Sequence, residues 1–380
     1  MDSWRSRLLG VRTPVFDAHV DSLQRALDLG DDLGTLTGGH LDLVRGRAGG
    51  LAAVVFVCWV DPVYVEEGTA GARCAALLGQ YHSLLERHPG LVAFGGNGRL
   101  VEEARERGLV AGIAGIEGGH SIEESLERLE EFFEGGVRVM TLVWNNHLSW
   151  IRSCRGGAGP QVPEGLSGFG REVVRRMNEL GMLVDLSHAS DRAFFDVLEV
   201  SERPVIASHS GCRAVNDHPR NLDVAQLRAL AGSGGVVGSV FCTPFLDADC
   251  AGRLVVLRES AEYASIDEGS EAATFFKQAA FLQENDPGLP IERLCEHVLH
   301  AIEVAGVEHV GIGSDFDGID HTPRGLEDAS TYPVLAAALV ERGLGEAEVE
   351  AVFFGNMARV FAIATGEGTR AWDVAAPVHA

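Results

Sequence analysis

Short apolar, β-branched segments alternate with longer amphipathic segments along most of this 380-residue chain. This alternation is typical of βα units repeated around a parallel sheet, because parallel strands need long crossover connections and a helix usually provides them. Eight segments have the character of strands: 14–21, 51–60, 110–117, 137–144, 182–188, 204–209, 235–242 and 309–315. Eight strands that each lead into a helix favour a closed (β/α)8 TIM barrel over an open sheet.

The candidate helices occupy the segments between and after these strands. They cover residues 71–87, 100–107, 121–134, 168–180, 191–200, 224–231, 291–305, 332–342 and 346–365. A barrel of this type needs roughly 250 residues, so we expect the surplus length in extended loops at 23–50, 147–167 and 243–290. We therefore predict one catalytic barrel domain over residues 1–380. An open doubly wound sheet is the alternative fold, although no G-x-G-x-x-G follows the first strand.

The chain is strongly acidic, with a formal net charge of −24. Such a charge repels phosphate backbones and anionic lipid, so we expect neither a nucleic-acid nor a membrane partner. The apolar run 51–60 is too short to cross a bilayer, and the N-terminus lacks the apolar stretch of a secretory signal. Seven cysteines without a C-x-x-C pair suit reduced thiols. We therefore expect a cytoplasmic protein.

Metal-binding residue types recur where the predicted strands end. His19 and Asp21 close the first strand, and side chains two apart on a strand lie on the same side. Four further strands end in residues of the same kinds, namely Glu117, His188, His209 and Asp315. Because the carboxyl ends of all strands meet on one face of a barrel, where active sites are built, these side chains predict a shared metal site.

Three histidines and three carboxylates exceed the three protein ligands of a mononuclear catalytic zinc, which indicates two metals. We assign His19 and Asp21 to one ion, His188 and His209 to the other, and Glu117 to both as the bridge. Lys277, the single lysine, lies far from any strand end and is not expected to bridge as a carbamate. Nitrogen and oxygen ligands favour Zn²⁺, two per chain, and leave manganese, cobalt or iron as alternatives in vitro. The two ions would hold a bridging hydroxide as the nucleophile.

Two further residues of this face are candidates for chemistry. Asp315 can accept a proton from the attacking water and pass it to the leaving amine, while Asp317 ranks second as a helper or turn residue. Arg220, in the loop after His209, can reach over the same face to grip a carboxylate or an oxyanion. From the residues alone, a surface position for Arg220 is as plausible as either role.

Six motifs, in their order and combination, resemble the membrane dipeptidase (renal dipeptidase) family, peptidase family M19. They are FDAHVD at 16–21, IEGGHS at 116–121, VDLSH at 184–188, SHS at 208–210, PRN at 219–221 and GSDFDG at 313–318. The resemblance implies a barrel of the metal-dependent hydrolase type with two zinc ions, hydrolysis of dipeptides including ones with a C-terminal D-residue, and a homodimer. It gives the metal-ligand roles to His19, Asp21, Glu117, His188 and His209, the acid/base role to Asp315 and a substrate contact to Arg220.

The chain departs from the family pattern after the fourth predicted strand. Many members of the family that this chain resembles have a histidine at this position that contacts the substrate, whereas this sequence has Trp144 there. Trp144 and His147, three residues on, are therefore the candidates for this substrate contact.

Three functions compete at this stage. The first is a binuclear zinc dipeptidase, with Glu117 and Asp315 in the catalytic centre. The second is a barrel amidohydrolase or lactonase acting on a non-peptide amide or ester, since the same nucleophile attacks these carbonyls. The third is a catalytically silent metal-binding barrel, against which Asp315 argues, because a silent site has little use for a spare carboxylate.

Overall fold

The computed structural model of the chain describes residues 13–366 and contains an eight-stranded parallel barrel. The strands are β1 (Val15–Val20), β2 (Leu51–Trp59), β3 (Val92–Phe94), β4 (Val110–Glu117), β5 (Val137–Thr141), β6 (Leu183–Asp185), β7 (Ile206–Ser210), β8 (Val236–Ser239) and β9 (Val310–Ile312). Pairing runs from β1 through β2, β4, β5, β6, β7, β8 and β9 back to β1, which closes the ring. The predicted TIM barrel is confirmed.

The short strand β3 was not predicted and lies outside the closed ring. It pairs with the first three residues of β4, from Val110 to Gly112, whereas β5 pairs with β4 from Ala114 onward. A three-residue strand carries too little periodicity to be recognised from sequence.

Helices cover the outside of the barrel. Their bounds are Leu23–Asp28, Leu43–Ala48, Val63–Glu66, Ala70–Arg87, Gly98–Glu106, Leu126–Glu134, Gly168–Leu180, Asp191–Val200, Val224–Gly232, Thr243–Leu246, Ala248–Arg258, Ala261–Ala264, Glu271–Asn285, Ile291–Ala305, Tyr332–Glu341, Glu346–Glu350 and Asn356–Thr365. Short 3₁₀ turns occur at Gly119–Ile122, Val307–His309 and Ala329–Thr331. A helix is present at each of the nine predicted positions, but a π-helical turn, Ala351–Gly355, divides the last one.

The segment 243–290, which we expected to be a loop, is mostly helical. It contains Thr243–Leu246, Ala248–Arg258, Ala261–Ala264 and Glu271–Asn285. Capping side chains begin three of these helices, because Asp247 accepts from Cys250 N, Ser260 from Tyr263 N and Ser270 from Ala273 N. The insertion is thus an ordered layer of helices over the carboxyl ends of the strands.

Apolar side chains fill the barrel interior and close its amino-terminal end. The ring of Phe16, on β1, lies 6.2 Å from that of Phe354 and 6.0 Å from that of Phe361, on the last described helix. Val55 of β2 and Ile113 of β4 belong to the same buried cluster. With this end packed by hydrophobic side chains, polar chemistry is left to the carboxyl ends of the strands.

In residues 13–366, no helix is both long and apolar enough to span a bilayer. The N-terminal residues 1–12, on which the prediction of a cytoplasmic protein partly rests, lie outside the described residues.

Candidate active site

Two groups of ligand-type side chains meet at the carboxyl ends of the strands, and Glu117 belongs to both. In the first group, His19 Nε2 lies 3.6 Å from Asp21 Oδ2 and 3.5 Å from Glu117 Oε2. In the second, Glu117 Oε1 lies 2.9 Å from His188 Nε2 and 3.5 Å from His209 Nε2. The two oxygens of one carboxylate therefore face different groups, as a bridging ligand requires.

Two strands that were predicted to end in a metal ligand or in the acid/base residue end three residues earlier in the structure. β6 ends at Asp185 and β9 at Ile312, so His188 and Asp315 lie in the turns that follow. Both residues have left-handed backbone conformations, with φ of 68° and 65°. Such a conformation is uncommon outside glycine and clusters at functional sites, where the surrounding structure maintains it.

Ser208 orients two of the three imidazoles. Its hydroxyl donates to Asp185 Oδ2 at 2.6 Å, so its oxygen is free to accept from ring N–H groups. His209 Nδ1 lies 2.8 Å and His19 Nδ1 3.3 Å from that oxygen. With the protons on Nδ1, the Nε2 lone pairs of both rings are directed into the site.

The third imidazole is oriented in the same way by Asn145. His188 Nδ1 donates to Asn145 Oδ1 at 3.1 Å, which leaves the Nε2 lone pair facing His209 Nε2 at 3.0 Å. Two nitrogen lone pairs and a carboxylate oxygen of Glu117 at this spacing repel one another unless a cation lies between them.

Asp185 lies close enough to His19 and His209 to be considered as a ligand. Its carboxylate, however, already accepts from Ser187 N, Ser208 N, Ser208 Oγ and Thr141 Oγ1. Asp185 is therefore a positioning residue beneath the imidazoles. Our sequence reasoning missed it, although a carboxylate on a buried strand, which needs partners, was the signal.

The pKa values of the imidazoles in the centre are shifted in opposite directions. Burial lowers the pKa of His19, but the carboxylates of Glu117 and Asp21 outweigh it and raise that pKa well above its usual range. Burial and the positive charge of Arg220 lower the pKa of His188 to about 4, so this ring is neutral and able to ligate at neutral pH.

These observations fit a metal cofactor. The Nε2 atom of His19 is buried without a hydrogen-bond partner, although two carboxylates face it. Imidazole nitrogens and carboxylate oxygens, without a thiolate, form a donor set typical of hydrolytic zinc.

Asp315 lies beside this centre with its carboxyl buried. Burial raises the pKa of Asp315 well above its usual value. A β-carbon placed on Gly318 would come within 2.1 Å of Asp21 Oδ2 and 2.8 Å of Asp315 Oδ1, so this glycine admits both carboxylates. The structure therefore brings Asp315 to the cavity next to one ligand group.

Arg220 is a buried cation of the cavity, not a surface residue. It is 2% exposed, its Nη2 donates to His209 O at 3.1 Å, and the guanidinium lies 5.3 Å from the centroid of the Phe245 ring. Its Nε has no partner, and no carboxylate within residues 13–366 forms an ion pair with it. Such a guanidinium is available to an anionic ligand.

Trp144 and His147, the two candidates to replace the substrate-contacting histidine of the family, occupy different places. Trp144 lines the cavity, with its ring 6.2 Å from the His188 ring and 5.1 Å from that of Trp59. His147 is not among the lining residues; its Nδ1 accepts from Ser153 N and its Nε2 contacts Gly156 O.

Asp317 and Lys277, which were also considered from the sequence, lie outside the two ligand groups. Asp317 accepts from Ser22 Oγ, Arg25 Nη1 and His40 N, so its carboxylate holds two loops together. Lys277 is exposed on the helix Glu271–Asn285.

The centre opens into a cavity of about 750 Å³, a size suited to a small ligand. Glu117, His188, His209 and Asp315 lie at its base. Phe275 and Phe276, from the helical insertion, line its wall.

Comparison with known proteins decides the family. Residues 4–370 match the model of the membrane dipeptidases, peptidase family M19.

The chain belongs to peptidase family M19.

Similar proteins include an uncharacterized dipeptidase of Schizosaccharomyces pombe, 32% identical over 342 residues, a match covering 85% of this chain and 71% of that protein. Among solved structures, the M19 metallopeptidase dipeptidase AC has a TM-score of 0.78 at 28% identity, covering 94% of this chain and 100% of that chain. A metallopeptidase from Rhodobacter sphaeroides, liganded with a phosphinate mimic of the dipeptide L-Ala-D-Ala, has a TM-score of 0.78 at 27% identity. That match covers 93% of this chain and 100% of the Rhodobacter chain.

This M19 protein is therefore a metallo-dipeptidase, a hydrolase of peptide bonds that uses a metal cofactor.

Proposed function

We propose that this M19 protein is a binuclear zinc dipeptidase. His19 and Asp21 would hold one ion, His188 and His209 the other, and Glu117 both. The position of Glu117 carries this proposal, because its two oxygens face two separate donor groups at 2.9 to 3.5 Å.

The zinc pair, when bound, would supply Lewis acidity and an activated water at neutral pH. The residues of the chain perform the remaining tasks. Asp315 takes the proton of the attacking water on its carboxylate and passes it to the nitrogen of the leaving residue. Ser208 and Asn145 keep the imidazole lone pairs directed at the metals.

Arg220 binds the free carboxylate of the substrate in this proposal. The guanidinium is buried, fixed by His209 O and Phe245, and without a carboxylate partner in the described part of the chain. A buried guanidinium close to the scissile peptide bond requires a carboxylate at that position. The substrate chain must therefore end one residue after the scissile bond, which would restrict the enzyme to dipeptides.

We propose that the substrates include L-Xaa-D-Xaa dipeptides. Support comes from the Rhodobacter sphaeroides structure with its L-Ala-D-Ala mimic. In place of the histidine expected after β5, Trp144 and Asn145 line the cavity, and we propose that they shape the substrate site. A homodimer and a cytoplasmic location remain predictions, which light scattering and cell fractionation test.

The deciding experiment assays the purified, zinc-loaded protein against a library of L,L and L,D dipeptides, with lactones and N-acyl amides in parallel. We expect dipeptides to be turned over, L,D pairs among them, with two zinc ions per chain by elemental analysis. Turnover of lactones or acyl amides alone would favour the amidohydrolase alternative. A single zinc ion with full activity would contradict the binuclear centre.

A further inference from the structure

A second cluster of buried ligand-type side chains lies outside the barrel centre. Cys250, Asp286 and His321 each offer one sulfur, oxygen or nitrogen atom, and these atoms lie within 4.8 Å of one another. Cys250 is on the helix Ala248–Arg258, Asp286 follows the helix Glu271–Asn285, and His321 is in the loop after β9. Cys250 and His321 are fully buried.

The imidazole of His321 is presented as a metal ligand would be. Its Nδ1 lies 2.7 Å from Thr243 Oγ1, and that hydroxyl donates to the backbone oxygen of His321 at 3.5 Å. Because the hydroxyl proton is used in this way, the hydroxyl oxygen accepts from Nδ1–H, and the lone pair of His321 remains on Nε2.

That Nε2 atom is buried without a hydrogen-bond partner. The carboxylate oxygen Oδ2 of Asp286 is 3.7 Å away, which is too long for a hydrogen bond and too close for two groups that both present lone pairs. An unsatisfied buried nitrogen is unfavourable, so a cation at this point would stabilise the fold.

The charge of the site also favours a divalent cation. Arg253 places its guanidinium on Asp286, with Nε 2.8 Å from Oδ1 and Nη2 3.2 Å from Oδ2, and Gly288 N donates to Oδ2. These contacts fix the carboxylate in its ionised form. Burial raises the pKa of Cys250, so its thiol would lose the proton only on metal binding, as ligating thiols do. The thiolate, the Asp286 carboxylate and the Arg253 guanidinium would then give the ligand group a net charge of −1 toward the bound ion.

We propose that Cys250, Asp286 and His321 bind a further divalent metal, with Zn²⁺ as the best match. Sulfur, nitrogen and oxygen ligands together are typical of zinc, and three protein ligands leave a fourth tetrahedral position for water. The ion would join two helices of the 243–290 insertion to the loop after β9, which also contains Asp315. Because Phe275 and Phe276 line the cavity from the same insertion, the metal would hold that wall in place.

Cobalt substitution tests this site separately from the barrel centre, whose proposed ligands include no thiolate. We expect the full-length protein loaded with Co²⁺ to show a thiolate-to-cobalt charge-transfer band in the near ultraviolet. The band should be lost in Cys250→Ser and in His321→Gln, each with one metal equivalent fewer than wild type. It should persist in Glu117→Ala, which removes the bridge of the barrel centre.

Cys242→Ser is the matched control, because Cys242 is a buried thiol that lines the barrel cavity itself. Its Co²⁺ form should keep the band. Absence of the band from wild type at saturating Co²⁺ would overturn the proposal, and this measurement does not depend on how the variants fold. A band that survives in both Cys250→Ser and His321→Gln, or disappears in Cys242→Ser alone, would also overturn it.

Discussion

At the scale of single residues, the centre depends on buried side chains whose pKa values are shifted by their surroundings, downward for Glu117 and upward for Asp315. Glu117 is buried among three imidazoles, and Asp315 is buried without a cation in hydrogen-bond contact within residues 13–366. Carboxylates in such positions are stable when paired with a cation, and perturbed carboxyls in a cavity are typical of catalytic groups.

Glu117→Ala should lower metal content and abolish dipeptide hydrolysis together, because the change removes an oxygen ligand from each donor group. Elemental analysis and a dipeptide assay on the same preparation measure both. Glu172→Ala, an exposed glutamate on the helix Gly168–Leu180, is the control and should change neither. If Glu117→Ala retained both metals, the bridging role would be wrong.

Asp315→Asn should keep the metals but reduce kcat by about 10²–10⁴-fold, since an amide cannot accept and return the proton. The comparison variant is Asp317→Asn. It should mainly lower stability, because Asp317 holds Arg25 and Ser22. A near-normal kcat in Asp315→Asn would leave proton transfer to another group.

Arg220→Met should lower kcat/KM for a dipeptide with a free C-terminal carboxylate by roughly tenfold to a hundredfold. This is the effect of losing a charged contact of about 1.5–3 kcal/mol. Hydrolysis of the C-terminal amide of the same dipeptide, already poor in wild type, should be almost unchanged. Lysine at this position should not restore the loss, because it lacks the planar fork. Equal losses on both substrates would instead indicate that Arg220 stabilises the oxyanion.

At the scale of elements, the barrel is closed at one end by a helix and covered at the other by an insertion. The helix Asn356–Thr365 fills the amino-terminal end with apolar side chains, while 243–290 forms one wall of the cavity. The closure is needed because the side chains inside the barrel are apolar at this end and would otherwise be exposed to water.

Phe361→Ala should lower the free energy of unfolding by about 3–5 kcal/mol, because it opens a cavity in the fully buried floor of the barrel. Ile363, on the same helix, is 48% exposed, and Ile363→Ala should cost no more than about 0.5 kcal/mol. Urea unfolding of both variants measures the difference. A similar loss in both would mean that the helix contributes through its propensity and not through its packing.

At the scale of the whole molecule, the metals link the fold to the chemistry. The proposed ligands come from β1, β4, β7 and the turn after β6, so ions bound to them would connect distant parts of the barrel. A ligand that binds only the native state stabilises it in proportion to its occupancy.

Removing the metals with a chelator should therefore lower the thermal midpoint of a single unfolding transition. A native-state ligand at a hundred times its Kd contributes about 2.7 kcal/mol per site, so the decrease should be several degrees. Calorimetry before chelation, after chelation and after return of Zn²⁺ tests this. Two separate transitions would contradict the prediction of one domain over residues 1–380.

Much of the fold and the candidate centre could be predicted from local sequence. The eight barrel strands were recognisable because parallel strands buried on both faces are continuous apolar runs. His19, Asp21, Glu117, His188 and His209 could be grouped because the ends of parallel strands share one face of a barrel. The strand β3 and the short helices within 23–50 and 243–290 were missed, because short elements carry little periodicity. The longer helices Ala248–Arg258 and Glu271–Asn285 were missed because they are only weakly amphipathic.

By itself, the sequence determined the class of fold, the residue types of the centre and the family, since these depend on patterns along the chain. The tertiary structure alone decided which atoms face one another. The left-handed turns at His188 and Asp315, the support of Asp185 and Ser208 beneath the imidazoles, and the burial of Arg220 all follow from contacts between distant segments. Such contacts depend on long-range packing, which no local pattern encodes.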